Sequence, residues 1–145
     1  MKRNNFFITP ILFLMILILA SCDSSGIKSL EVYYNKPGIS TPYAQFCSDN
    51  LFINQNDIRY KKIDDDDFLS EFETQINTLE SSDENSVDSR VYILINYHDA
   101  HIDTLCVGET WGICLNNNIM KHNQKFHELI MNEIDFYDKE KYHKK

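Results

Sequence analysis

Glycine and proline are scarce in this chain, four and three respectively in 145 residues. Collagen-like and low-complexity linker classes, which run to roughly a quarter or more of these residues, are therefore excluded. The glycines, Gly26, Gly38, Gly108 and Gly112, are too dispersed to build a glycine-rich phosphate loop, whose backbone amides must crowd around one anion. No Gly-x-Ser-x-Gly elbow and no His-Glu-x-x-His helix occurs, so the motifs of common serine hydrolases and zinc proteases are missing. No cofactor is expected. Basic charge is short as well: 14 Lys and Arg stand against 22 Asp and Glu, a net charge of −8. Nucleic acid is not an expected partner, because phosphate binding depends on Lys and Arg displacing counterions. What is plentiful is apolar and aromatic surface, 43 % and 12 % of residues, which favours a folded core over disorder.

The longest apolar run is confined to the N-terminus. Lys2 and Arg3 precede Phe6 to Leu19, which carries no charge. That run is about 14 residues, short of the roughly 20 needed to span a bilayer, and fits the apolar segment of an export signal. Leu19-Ala20-Ser21-Cys22 follows directly, placing a small pair before a cysteine. An ordinary signal peptide that happens to end at a cysteine is the alternative. The whole arrangement resembles the signal of bacterial lipoproteins. The resemblance covers residues 1–22 and implies diacylglyceryl transfer to the Cys22 sulfur, removal of Met1 to Ser21, and often acylation of the new amino terminus. It also implies a domain lipid-anchored to the outer membrane or cell membrane, on the exported side of a bacterial envelope. Each buried methylene contributes about 0.8 kcal/mol, so two or three acyl chains anchor a soluble domain almost permanently.

Removal of the signal takes Lys2 and Arg3 and no acid, leaving roughly 120 residues, an ordinary size for one domain. The expected organisation is a signal peptide at 1–21, a lipidated cysteine and short tether at 22–28, a single domain at 29–138 and a charged tail at 139–145. Within the domain, Ser29 to Tyr34 and Asp57 to Ile63 alternate as strands, while Pro37-Gly38 and the stretch around Pro42 favour turn and loop. Phe68, Phe72, Ile76 and Leu79 form one helical stripe, and Phe126, Leu129, Ile130, Ile134 and Tyr137 a second, capped by Asn123. Val91 to Tyr97 is the strongest strand signal. His98-Asp99-Ala100, Gly108 to Gly112 and Asn116-Asn117-Asn118 then supply turns, so 90–121 reads as an antiparallel meander. The fold class expected is α+β, a small antiparallel sheet with two helices packed on one face.

Few residues point to chemistry. His98 and His101, three apart with Asp99 and Asp103 beside them, are candidate metal ligands, although a polar turn explains them more simply. Asp64 to Asp67 offers carboxylates to a cation, yet it lacks the alternation and glycine bend of a calcium loop and suits a helix start. A cysteine nucleophile would draw on Cys47 or Cys106 with His98 or His101. Trp111, alone of its kind and near a hairpin tip, suits a binding anchor, with burial against a helix as the alternative. Tyr33, Tyr34 and Tyr43 leave the same choice between core and ligand platform. Lys139, Lys141, Lys144 and Lys145 suit a solvated helix end, with contact to lipid headgroups as the alternative.

With Cys22 lipidated, Cys47, Cys106 and Cys114 remain, an odd number that permits at most one bridge in an oxidising compartment. A three-residue loop at Glu109, Thr110 and Trp111 would make Cys106 and Cys114 direct cross-strand partners. A two-residue loop would put them on opposite faces and favour Cys47 as partner of one of them. Three buried thiols are the remaining alternative. These features favour a membrane-anchored, non-catalytic lipoprotein that binds a protein or envelope component, with a small envelope hydrolase or metal-binding lipoprotein as the alternative.

Overall fold

The computed structural model describes residues 26–38, 47, 58–84 and 87–138. The signal segment, Cys22, Tyr43 and the 139–145 tail lie outside these described residues. Six strands and two helices are formed: β1 (Ile27–Tyr34), β2 (Arg59–Ile63), α1 (Asp66–Ile76), β3 (Ser89–Tyr97), β4 (Ile102–Gly108), β5 (Ile113–Leu115), β6 (Asn118–Met120) and α2 (Gln124–Glu133). The strands make one antiparallel sheet in the order β2-β1-β3-β4-β5-β6. The molecule is an α+β fold whose β3–β6 portion is the expected meander. β1 starts at Ile27, so Ile27, paired with Tyr97, and Lys28, the bulge residue after it, belong to the strand rather than to the expected tether.

Strand alternation sorts the sheet into two faces. Leu30, Val32, Val91, Ile93, Ile95, Leu105, Val107 and Ile113 point to the side that also buries Leu69, Phe72, Phe126, Ile130 and Met131 of the helices. The opposite face holds a second cluster of Cys47, Val87, Tyr92, Cys106 and Cys114. β3 is therefore covered on both faces, which explains its nearly unbroken apolar sequence. Between the helices, the Phe72 and Phe126 ring centroids are 5.2 Å apart, and both rings are fully buried.

The helix starts follow the sequence closely. The Asp65 carboxylate accepts from the Phe68 amide at 2.9 Å, with Asp66 and Asp67 in the first turn facing the positive dipole end. The acidic run is thus a cap. Asn123 does the same for α2, accepting from Phe126 N at 3.1 Å. The helix ends depart from expectation. α1 ends before Leu79, and Leu69 rather than Phe68 is the fully buried member of its first turn. After α2, Asp135 takes a left-handed backbone (φ 50°). The Asp135 and Phe136 amides donate back to the Asn132 and Met131 carbonyls, a Schellman closure. That reversal carries Phe136 into the core against Tyr34 and turns Tyr137 outward, 52 % exposed. A stripe counted at helical spacing places Tyr137 inside only if the helix continues.

The hairpins are set by residues that tolerate positive φ. Asn116 and Asn117 (φ 49° and 64°) form the two-residue loop between β5 and β6. Gly112 (φ 89°) closes the β4–β5 loop, where a Cβ would lie 2.8 Å from a Val87 methyl. Gly108 N donates to Gly112 O across it at 2.9 Å, so the loop has three residues, Glu109, Thr110 and Trp111. Among the described residues no helix is long and apolar enough to cross a membrane.

Candidate functional site

The sheet has two ends of different character. The Ile27 end of β1 meets Tyr97 of β3 and the His98–His101 turn. The Tyr34 end lies with Val91, Gly108 and Met120, where the β4–β5 loop projects. Trp111 sits on that loop, 73 % exposed. Burial of the indole against a helix, the alternative in the sequence, is not what forms. Thr110, Trp111 and Gly112 join Glu84, His122 and Gln124 around a groove of about 380 Å³. A second hollow of about 500 Å³, lined partly by Thr78, Glu80, Lys121 and Asn123, shares His122 and Gln124 with it.

The loop bearing Trp111 is held from beneath. His127 of α2 is buried, and its Nε2 donates to the Gly108 carbonyl at 3.0 Å. Burial, with a smaller push from His122, holds the His127 pKa below its ordinary value against the opposing effect of that bond. The Tyr137 hydroxyl donates to the Glu109 carbonyl, and Gly38 N donates to the Glu109 carboxylate at 3.0 Å. Tyr137, turned out of the core, thus has a structural task. His122 and Gln124 are joined at 2.9 Å on the groove wall. The Lys121 ammonium, 2.7 Å from Glu80, lowers that carboxyl's pKa.

The histidine candidates at the other end are arranged differently. Asp103 accepts from Asn116 at 2.7 Å and from Tyr97 at 3.0 Å, and lies 2.8 Å from His101 Nε2. Burial opposes its charge, but these three bonds outweigh it and hold the Asp103 pKa below the usual carboxylate range. Burial and Asp103 together raise the Tyr97 pKa. The group fastens the hairpin: Asn116 also accepts from Thr104 N at 2.9 Å and donates its own amide to Thr104 O at 2.8 Å. His98 is exposed, its backbone amide donating to Gly26 O at 3.2 Å. Among the described residues no three His, Cys, Asp or Glu side chains gather as a metal site. His98 and His101 belong to a polar turn, with Asp103 at the start of β4.

The cysteines resolve as a bridge and a thiol. Cys47 is bonded to Cys106, with Cα atoms 5.6 Å apart, and Cys114 is free and buried. The three-residue loop makes Cys106 and Cys114 direct partners in the β4–β5 register, yet the bond goes to Cys47. This corrects the linkage of loop length to pairing: facing Cys114 across the strands does not prevent Cys106 from bonding a residue lying over the sheet. Bonded Cys47 and Cys106 offer no thiolate, and Cys106 lies mid-strand opposite Tyr92 rather than beside His98 or His101. The nucleophile expected from Cys47 or Cys106 beside His98 or His101 does not form. Tyr34 is core, while Tyr33 lies on the opposite face with its ring 5.2 Å from that of Tyr60.

Sequence reasoning found Trp111 but missed Glu84, His122 and Gln124, which reach the groove through the connection after α1 and the start of α2. His127 carried a usable signal, a histidine on the buried stripe of α2 beside Phe126 and Ile130. The groove combines an indole face with an imidazole, an amide, a hydroxyl and a carboxylate, suited to stacking and hydrogen bonding. No protein family, curated protein or solved structure matches this chain.

Proposed function

We propose that this chain is a lipoprotein of the bacterial cell envelope, anchored through lipid on Cys22, and that its domain is a non-catalytic binding module for a protein or other envelope component. The observation that carries the binding role is Trp111, 73 % exposed on a loop fastened at its Gly108 and Glu109 carbonyls. A large aromatic kept in water on a fixed loop is unfavourable for the free protein and favourable for a partner that covers it. The Cys47–Cys106 bridge supports an exported domain, since such bonds persist in oxidising compartments. The anchor rests on Lys2, Arg3 and the Leu19 to Cys22 motif.

Two measurements test the reading. Intact mass of the membrane-extracted protein should show loss of residues 1–21 and acyl additions on Cys22; an unmodified Cys22 removes the anchor. Trp111 is the only tryptophan, so its emission reports directly on the groove. Isolated cell-wall polymer, free of tryptophan, should shift that emission, or immobilised protein should retain an envelope protein that Trp111→Ala does not. If neither occurs across the wall polymer and the solubilised envelope proteins, the binding role is wrong.

A further inference from the structure

Cys106 is flanked by two other cysteines. Its sulfur is bonded to Cys47, whose Cα is 5.6 Å away. On the other side Cys114 is its direct partner in the antiparallel register. The neighbouring links, Gly108 N to Gly112 O and Asn116 N to Thr104 O, make 106 and 114 a hydrogen-bonded pair, for which Cα atoms lie about 5.5 Å apart. Both separations fall within the range a disulfide spans. All three residues belong to one buried cluster on the face away from the helices. Cys114 is the unbonded member, so a thiol stands beside a disulfide within a single enclosed site.

We propose that Cys106 is an exchange centre, at which the Cys114 sulfur displaces Cys47 and converts the long-range bridge into a hairpin bridge. The Cys114 thiol loses its proton to solvent base and attacks Cys106 Sγ. The 106–114 S–S bond forms, the 47–106 bond breaks, and the electron pair leaves on Cys47, which takes up a proton. One thiol and one disulfide stand on each side, so no oxidant or reductant is consumed. The product frees Cys47 as the thiol that a disulfide-bearing partner in the envelope would meet. Enclosure keeps the Cys114 thiol largely protonated, and exchange runs over minutes to hours, the range of uncatalysed rearrangement.

The test uses the full chain extracted in detergent, held folded at pH 8.5 with N-ethylmaleimide, quenched in acid and mapped by peptide mass, which separates these cysteines from Cys22. The expected result is label accumulating on Cys47 together with a linked 106–114 peptide pair, and no Cys47 label in Cys114→Ala. Label on Cys114 with the 47–106 pair retained overturns the proposal, as does a wild-type chain that stays unlabelled. A second variant reads the same geometry without kinetics. Oxidised Cys47→Ala should contain a 106–114 bridge, and two free thiols there would show that these positions cannot bond.

Discussion

Removing the Cys47–Cys106 bridge should cost this domain a large share of its stability. The bridge joins residues 59 apart, and closing a loop of that size lowers the entropy of the unfolded chain by an amount worth about 4 kcal/mol at 25 °C. Small domains are stable by only about 5–15 kcal/mol. Cys47→Ala removes the long loop, but Cys114 lies across from Cys106. A replacement bridge there would close a loop of about nine residues, worth about 2.5 kcal/mol by the same relation. The single variant should therefore lose about 1.5–2 kcal/mol, and Cys47→Ala with Cys114→Ala about 4 kcal/mol.

Urea unfolding of the wild type and the two variants at pH 7, under oxidising conditions, measures these differences through the midpoint at constant slope. Adding reductant should bring the wild type and the single variant down to the double variant. Equal stabilities in all three oxidised proteins would refute the reasoning, showing that the bridge does not restrain the unfolded chain. Equal losses in the two variants would refute only the replacement bridge.

Three further perturbations follow from the packing. Gly108→Ala would set a Cβ 2.0 Å from the Trp111 carbonyl oxygen, so the loop must move. A loss of about 1–3 kcal/mol with a shift in Trp111 emission is expected, and unchanged emission would show that the loop is not built as described. Phe72→Ala, at the fully buried contact with Phe126, should cost about 3–5 kcal/mol; a loss under about 1 kcal/mol in urea would mean that the two helices do not share that core. His127 has a folded pKa below its ordinary value, so the unfolded chain takes up the proton first as pH falls. Its contribution is complete above about pH 6.5 and is lost as pH drops through the folded pKa. His127→Gln should flatten the urea midpoint between pH 7.5 and 5, and an unaltered slope would assign the acid sensitivity elsewhere.

Much of the fold is legible because local chemistry and tertiary packing agree. Asp65 and Asn123 start helices where a short acceptor precedes an apolar stripe, and Asn116-Asn117 turns where two residues must take positive φ. The departures arise where long-range geometry decides. Nothing local distinguishes Tyr137 from Phe136 until Asp135 reverses the chain and exchanges which ring is buried. In β2, Lys61 faces the helix side and its ammonium lies 2.7 Å from the Glu133 carboxylate of α2, while Tyr60 is exposed. The alternation of that strand is real, but its polarity is set by an edge position rather than by hydrophobicity. The groove was least legible, because Glu84, His122 and Gln124 converge from segments that adjoin Trp111 only once the sheet has ordered them.

The placement of the two ends gives the proposed anchor a geometric consequence. β1 leaves the tether at Ile27 and runs eight residues to Tyr34, about 26 Å at strand rise. Five peptide steps separate Cys22 from Ile27, a reach of at most about 18 Å. The Trp111 loop projects at the Tyr34 end, whereas the His98–His101 turn lies at the Ile27 end. With lipid on Cys22, an upright domain would turn the acidic residues Asp64 to Asp67 and Asp99 toward the headgroups and hold the groove at most roughly 40 Å from them. Repulsion between the net-acidic domain (net charge −8 for the chain) and anionic lipid holds the domain off at the length of its tether and opposes lying flat, more strongly at low salt. A quencher attached at acyl-chain depth should accordingly leave Trp111 emission unchanged in anionic vesicles at 10 mM salt. Quenching there would mean that the domain lies down and that the groove faces the bilayer.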